Sequence, residues 1–399
     1  MARIHLKFKR VKILIQTCLI FIVLGGYTQT PEKVYSIAKE QRELSWYQTQ
    51  EKLWENELDQ HKKSPRAWRN YYESIRSQWI LSGRGENSER EYQSELNTIV
   101  EDCYDAIPNS FEANFLMYRH FSDLVSGEEY FPYLEKAYAI DSLNAEAYDL
   151  FITYYEVKRN VKGREKFARK AFETNLFAHG VMNWAYNVLM EVEEGGILFT
   201  AGDNDTYPFW VLQAALGVRK DVTVLNTSLL TIDAYRKKVL RERGIQPIES
   251  ELQSAKSYEQ MDSLKCISNA NIFENDQGIP VHVSGTAVFQ FQEKFGNNLY
   301  LTGLTYRYSA GEIDNLPIIR KNFEKRFLLD YLTTSFSFHI QNNLLPRLNA
   351  TYLPGMVKLY KHYKAAGDYQ RMKKMENFLV DISKKVDQYD TIQLLIEGK

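Results

Sequence analysis

The sequence predicts a small α/β core set between stretches of helical repeats, and three observations carry that reading. A short apolar run, Ile197 to Thr200, is followed by an acidic loop, a helix-length segment and a second apolar run, Val222 to Leu225. Upstream, three similar segments begin at Glu101, Glu135 and Arg169, each 34 residues after the last. Beyond Gly311 the apolar residues return to helical spacing. The expected fold class is α/β plus all-α: a tetratricopeptide-like helical arm, a small Rossmann-like α/β core and C-terminal helical hairpins. The expected boundaries are 1–28 for an export signal, 29–194 for the arm, 195–310 for the core and 311–399 for the helical end.

The first 28 residues read as a secretory signal. Arg3, Lys7, Lys9, Arg10 and Lys12 form a basic start, and Ile13 to Leu24 is mostly apolar. That run is shorter than the roughly 20 residues that span a bilayer comfortably. Two outcomes stay open: cleavage near Thr28 and Gln29, or retention as a membrane anchor. The expected location is exported, periplasmic or envelope-associated. No later segment has the length and apolarity of a membrane span.

Composition sets further bounds. A net charge of −1 gives no general attraction for nucleic acid. Of three cysteines, Cys18 falls in the signal; Cys103 and Cys266 are distant, could pair, and make no disulfide framework. The seven histidines show no zinc-ligand spacing, so no metal is expected, and no cofactor motif occurs. Aromatic residues are abundant, with 27 Tyr and 21 Phe, as suits helices that pack broad, semi-polar faces.

Within the repeats, Cys103, Ala137 and Ala171 occupy one small position late in the second helix, where paired helices approach closely. Arg164 departs from the pattern, standing where a small residue is normal. Ser64-Pro65 reads as a capped helix start. Near the end, Leu353 to Tyr363 places Met356, Leu359, Tyr360 and Tyr363 on one face. Gly367-Asp368-Tyr369 is the turn into a second helix, Arg371 to Val380. Such repeats either present a binding surface or brace the domain between them.

In the core, Phe209 to Gly217 and Thr231 to Arg243 suit helices; Val281 to Ser284 and Leu299 to Tyr306 suit strands. The polar connection from Gly244 to Gly278 holds either a helix or a mobile loop. No glycine-rich phosphate loop and no nucleophile elbow is present. The candidate site is the loop after the first strand: Asp203, Asn204, Asp205 and Thr206. Open α/β sheets place ligands at the carboxyl ends of strands, and paired carboxylates suit sugar hydroxyls or a cation. The structural alternative is equally direct. Asp205 or Thr206 can cap the next helix, with Pro208 in its first turn, while Asp203 satisfies loop amides. No catalytic residue is assigned.

The stretch ILFTAGDNDTYPFWVLQAALGVRKDVTVLNTSLL, with Gly202, Asp203, Asn204, Asp205, Thr206 and Pro208, resembles a signature of the bacterial protein O-mannosyltransferase-like membrane proteins. Asn298 to Glu312 and the C-terminal hairpin resemble later parts of the soluble region of that family. The resemblance implies an envelope protein connected with O-glycosylation. In the family, a lipid-linked sugar is used and catalytic acidic residues are expected in a membrane half. Here helical repeats stand in that place, so no catalytic position carries over. The expected role is an exported binding or scaffolding protein that presents its repeats to an envelope protein partner. The alternative is glycan binding, or an accessory role beside a glycosyltransferase. Nucleic acid is not an expected partner, and membrane contact is expected only through an uncleaved N-terminal segment.

Overall fold

The computed structural model describes residues 30–82, 86–122, 127–334 and 338–398. The signal-like segment therefore lies outside the described residues. The described residues form two compact units: those of 30–35 with 42–99, and those of 36–41 with 100–398.

The smaller unit is built on two paired helices, α1 (Leu44–Gln60) and α2 (Pro65–Leu81). The Ser64 side chain accepts from the Ala67 amide and Pro65 opens the first turn, as the sequence predicts. Val34, Tyr47, Trp54, Leu58 and Ala67 form the buried core. The Trp54 indole donates to the Glu32 carbonyl at 2.9 Å, so burying this ring strands no donor.

The helix α3 (Glu86–Ala106) leads the chain into the larger unit. There α4 (Phe111–Phe121), α5 (Gly127–Ile140), α6 (Tyr148–Val157), α7 (Val161–Glu173) and α8 (His179–Glu191) follow. Helical segments recur at 34-residue intervals, starting at Phe111, Ala145 and His179, and again at Gly127 and Val161. Cys103, Ala137 and Ala171 are all fully buried. Arg164 is explained by an ion pair: it meets the buried carboxylate of Glu156. The small residue is displaced by one position, to Gly163. A Cβ there would lie 2.6 Å from the Tyr155 ring. Gly163→Ala is expected to cost about 1–3 kcal/mol through this clash, less about 1 kcal/mol returned by helix propensity. Urea unfolding of the two chains measures the difference; a stabilised variant would show that Tyr155 moves freely.

The sheet comes next. Its strands are β1 (Ile197–Thr200), β2 (Thr223–Asn226), β3 (Val281–Ser284), β4 (Leu299–Leu301) and β5 (Thr305–Tyr308). Their order is β2-β1-β3-β5-β4. β1 runs parallel to both neighbours, with Ile197 level with Thr223 and Val281. The β4–β5 hairpin adds an antiparallel edge, with His282 level with Arg307. Between the parallel strands lie α9 (Tyr207–Leu216), α10 (Asp233–Glu242) and α11 (Tyr258–Phe273). The connection from Gly244 to Gly278 thus contains a helix.

The stretch read as one strand, Leu299 to Tyr306, is two strands with a turn at Thr302-Gly303-Leu304. The cause is Glu191 at the end of α8. Its buried carboxylate accepts from the Leu304 amide at 2.7 Å, the Thr305 amide at 3.2 Å and the Thr302 hydroxyl at 2.5 Å. Burial raises the Glu191 pKa against these bonds.

α9 packs on α7 and α8, which joins the helical arm to the sheet. Behind the sheet come α12 (Leu316–Lys321), several short turns, then α13 (Leu353–Ala366), α14 (Tyr369–Ser383) and α15 (Tyr389–Glu397). α13 and α14 form the expected hairpin, with Asp368 accepting from the Arg371 amide. Asn187 of α8 fixes this region: its side chain donates to Tyr352 Oη at 2.7 Å and accepts from the Leu328 amide at 2.8 Å. Cys103 and Cys266 are both free thiols. Among the described residues no helix is long and apolar enough to cross a membrane.

Candidate functional site

The acidic loop leaves β1 at the carboxyl edge of the parallel strands, as its sequence predicts. Its four residues divide sharply. Three of them turn inward and hold the loop in place. Asp205 is buried; its Oδ2 accepts from the Ala201 amide at 2.9 Å and the Thr286 hydroxyl at 2.5 Å. The other carboxyl oxygen, Oδ1, is buried and meets no donor. Burial, with Asp203 close by, pushes its pKa up to about 7 against both hydrogen bonds. Thr206 is also buried; its hydroxyl meets Thr200 Oγ1 at 2.7 Å and accepts from Asn226 Nδ2 at 2.9 Å. These bonds join the ends of β1, β2 and the β3 turn.

Asn204 reaches further along the chain. It donates to the Ala38 carbonyl at 2.8 Å and accepts from Gln341 Nε2 at 3.2 Å. Gln341 in turn accepts from the Ala178 amide at 2.9 Å. One amide thus connects residues 36–41, the β1 loop and the segment after residue 338.

Thr206 stands at the N-cap position of α9, but its side chain makes no capping bond; nor does Asp205 cap the helix. The expected capping role falls instead to main chain. The Asp203 carbonyl accepts from the amides of Thr206 and Tyr207, at 3.2 Å and 3.0 Å. Pro208, in the first turn, needs no acceptor.

Asp203 alone of the four is exposed. Its carboxylate lies within electrostatic reach of Asp149, at the start of α6. The Tyr207 phenol sits by both carboxylates and meets Thr153 Oγ1 at 2.7 Å. Lys39 and Arg119 lie within electrostatic reach of Asp149. Burial lifts the Asp149 carboxyl above its usual range; the two cations pull it down and Asp203 adds to the lift. Tyr207 is held protonated, chiefly by burial and then by the two carboxylates. The Phe177 ring lies 6.4 Å from that of Tyr207 and also lines a cavity of about 370 Å³. Phe172, His179, Asn183 and Tyr331 share that cavity.

The arrangement offers hydrogen-bond acceptors on two carboxylates, a phenol and two cationic donors, beside an aromatic- and amide-lined cavity. That is the inventory of a polyol-binding surface. Among the described residues no three His, Cys, Asp or Glu side chains gather as a metal site would require. Sequence reasoning found Asp203 but not Asp149, Lys39 or Arg119, since only the fold brings α6, α4 and residues 36–41 to the loop. Tyr207 lies inside the loop motif, between Thr206 and Pro208, and was not among the predicted site residues.

No curated protein sequence shows significant similarity to the chain. Residues 181–282, running from α8 through the acidic loop to the second residue of β3, match the family model of TMEM260-associated domain 2, a family linked to the O-mannosyltransferase-like TMEM260.

Proposed function

We propose that this chain is an exported glycan-binding protein, an accessory to protein O-glycosylation in the cell envelope. The observation that carries the reading is the convergence of Asp203, Asp149 and Tyr207 beside Lys39 and Arg119. Carboxylates accept from vicinal sugar hydroxyls, and charged acceptors make stronger bonds than neutral ones. The family match and the basic-then-apolar N-terminal pattern support the glycosylation setting and the export. The chain then recognises sugar rather than transferring it.

The test is binding of mannose-containing oligosaccharides to the full chain, read by calorimetry. Asp203→Asn and Asp149→Asn are each expected to weaken binding about tenfold or more, the effect of losing one charge-assisted bond. Asp203→Asn should shift the melting temperature little, because Asp203 is exposed, and Asp149→Asn keeps an oxygen to accept from the Leu150 amide. Unchanged affinity in both variants, or no saturable binding of any mannoside, would overturn the reading.

A scaffolding role through the helical arm has its own support. Phe121, Tyr130, Tyr133 and Tyr104 form a partly exposed aromatic chain along α3–α5, with centroids 5.6, 6.1 and 5.4 Å apart in turn. Such surfaces suit protein partners. Crosslinking in intact cells separates the two readings: Tyr130→Ala with Tyr133→Ala should abolish a protein adduct while leaving oligosaccharide binding intact.

A further inference from the structure

A second cavity in the larger unit, of about 580 Å³, is lined by groups that the acidic loop does not use. It lies at the carboxyl edge of the sheet, where doubly wound folds bind ligands. Thr227 and Ser228 continue β2, Phe291 follows β3, and α11 supplies one wall. The floor is firm: the Phe291 ring packs 5.0 Å from Phe199 of β1 and 5.5 Å from Phe273 of α11.

Several polar side chains on the walls lack protein partners. Thr227, Ser228, Lys265, Ser268 and Asn269 make no side-chain hydrogen bond or ion pair with another described residue. Ser268 is buried, Thr227, Lys265 and Asn269 are half-buried, and Ser228 is exposed. Polar side chains that line a cavity without protein partners are placed to bond a polar ligand. The charge balance favours an anion. Lys265 and Lys294 face one carboxylate, Asp262; Lys294 also meets Glu293 outside the cavity lining, at 3.4 Å.

We propose that this cavity binds a small polyol phosphate, such as a hexose phosphate. Lys265 and Lys294 hold the phosphate as point charges. Ser268, Asn269 and Asp262 bond the sugar hydroxyls, and Phe295 gives the ring an apolar surface. The site shares no residue with the Asp203 cluster, so it stands or falls separately from the glycan reading.

Cys266 supplies a reporter, since its partly exposed thiol lines this cavity whereas Cys103 is buried. The experiment uses the full chain with glucose 6-phosphate as probe. Calorimetry reads affinity, and mass spectrometry reads iodoacetamide labelling at Cys266. Saturable binding should slow that labelling about tenfold. Lys265→Gln with Lys294→Gln should weaken binding about tenfold or more, with an unchanged melting temperature. Absence of saturable binding, equal affinity in the double variant, or unprotected Cys266 would each overturn the proposal. Inorganic phosphate binding as tightly as glucose 6-phosphate would remove the sugar from it, and glucose binding as tightly would remove the phosphate.

Discussion

Glu156→Ala is expected to destabilise the larger unit by about 3–5 kcal/mol. Glu156 is 1% exposed and carries three partners: Arg159, Arg164 and the Tyr235 hydroxyl, the last at 2.9 Å. Arg159 also binds Glu242 of α10 at 2.6 Å, so the cluster joins the helical arm to the helix after β2. Alanine would leave two mostly buried guanidinium groups and a buried phenol without their acceptor. Glu156→Gln keeps an acceptor for Tyr235 and should lose less, about 1–3 kcal/mol. Denaturant unfolding of the full chain measures both. In a double-mutant cycle, Arg164→Ala should cost little once Glu156 is gone. Additive losses would mean that the two residues act independently and that the cluster is not a unit.

Asp205 gives the second large effect, and its sign depends on pH. Its folded pKa of about 7 stands well above the ordinary aspartate value of 3.8. Between about pH 4 and pH 7 the folded chain therefore holds a proton that the unfolded chain has released. Stability falls as pH rises through this window, and the full cost, up to about 4 kcal/mol, is present above it. Asp205→Asn removes the titration. Its amide oxygen can accept from Ala201 and Thr286 as Oδ2 does, and its NH₂ takes the place of the unpartnered Oδ1. The Asn variant should have a flatter stability profile and match or exceed the parent at pH 8. Asp205→Ala should instead lose about 1–3 kcal/mol at pH 5, because two donors lose their acceptor. Thermal melts at pH 5 and pH 8 test this. If Asn and Ala were equally destabilised at both values, burial of an ionised Asp205 would not be the source of the pH dependence.

The strands that were legible are those whose side chains are wholly buried. Ile197–Thr200 is a continuous apolar run and Val281–Ser284 places two valines around His282; the structure has both strands at the predicted residues. The β4–β5 hairpin was not legible because its turn, Thr302-Gly303-Leu304, has no strong local turn signal. It is set by Glu191, more than a hundred residues earlier. The same limit applies at the candidate site. A strand-end carboxylate such as Asp203 can be read locally. Asp149 sits in an ordinary helix start, and Lys39 in a polar stretch; nothing near either one marks the meeting with Asp203. The capping prediction failed for a tertiary reason as well: Asp205 and Thr206 bond the ends of neighbouring strands rather than the helix that follows them.

Residues 36–41 have a consequence for any attempt to dissect this protein. They belong to the larger unit, lending the Ala38 carbonyl to Asn204 and the Lys39 charge to Asp149. The larger unit is thus discontinuous in the gene. A fragment begun at residue 100 would lack six of its residues, including a cation beside Asp149. Loss of binding in such a truncation would not separate the missing peptide from a contribution of the smaller unit. Adding residues 36–41 back as a synthetic peptide would distinguish the two.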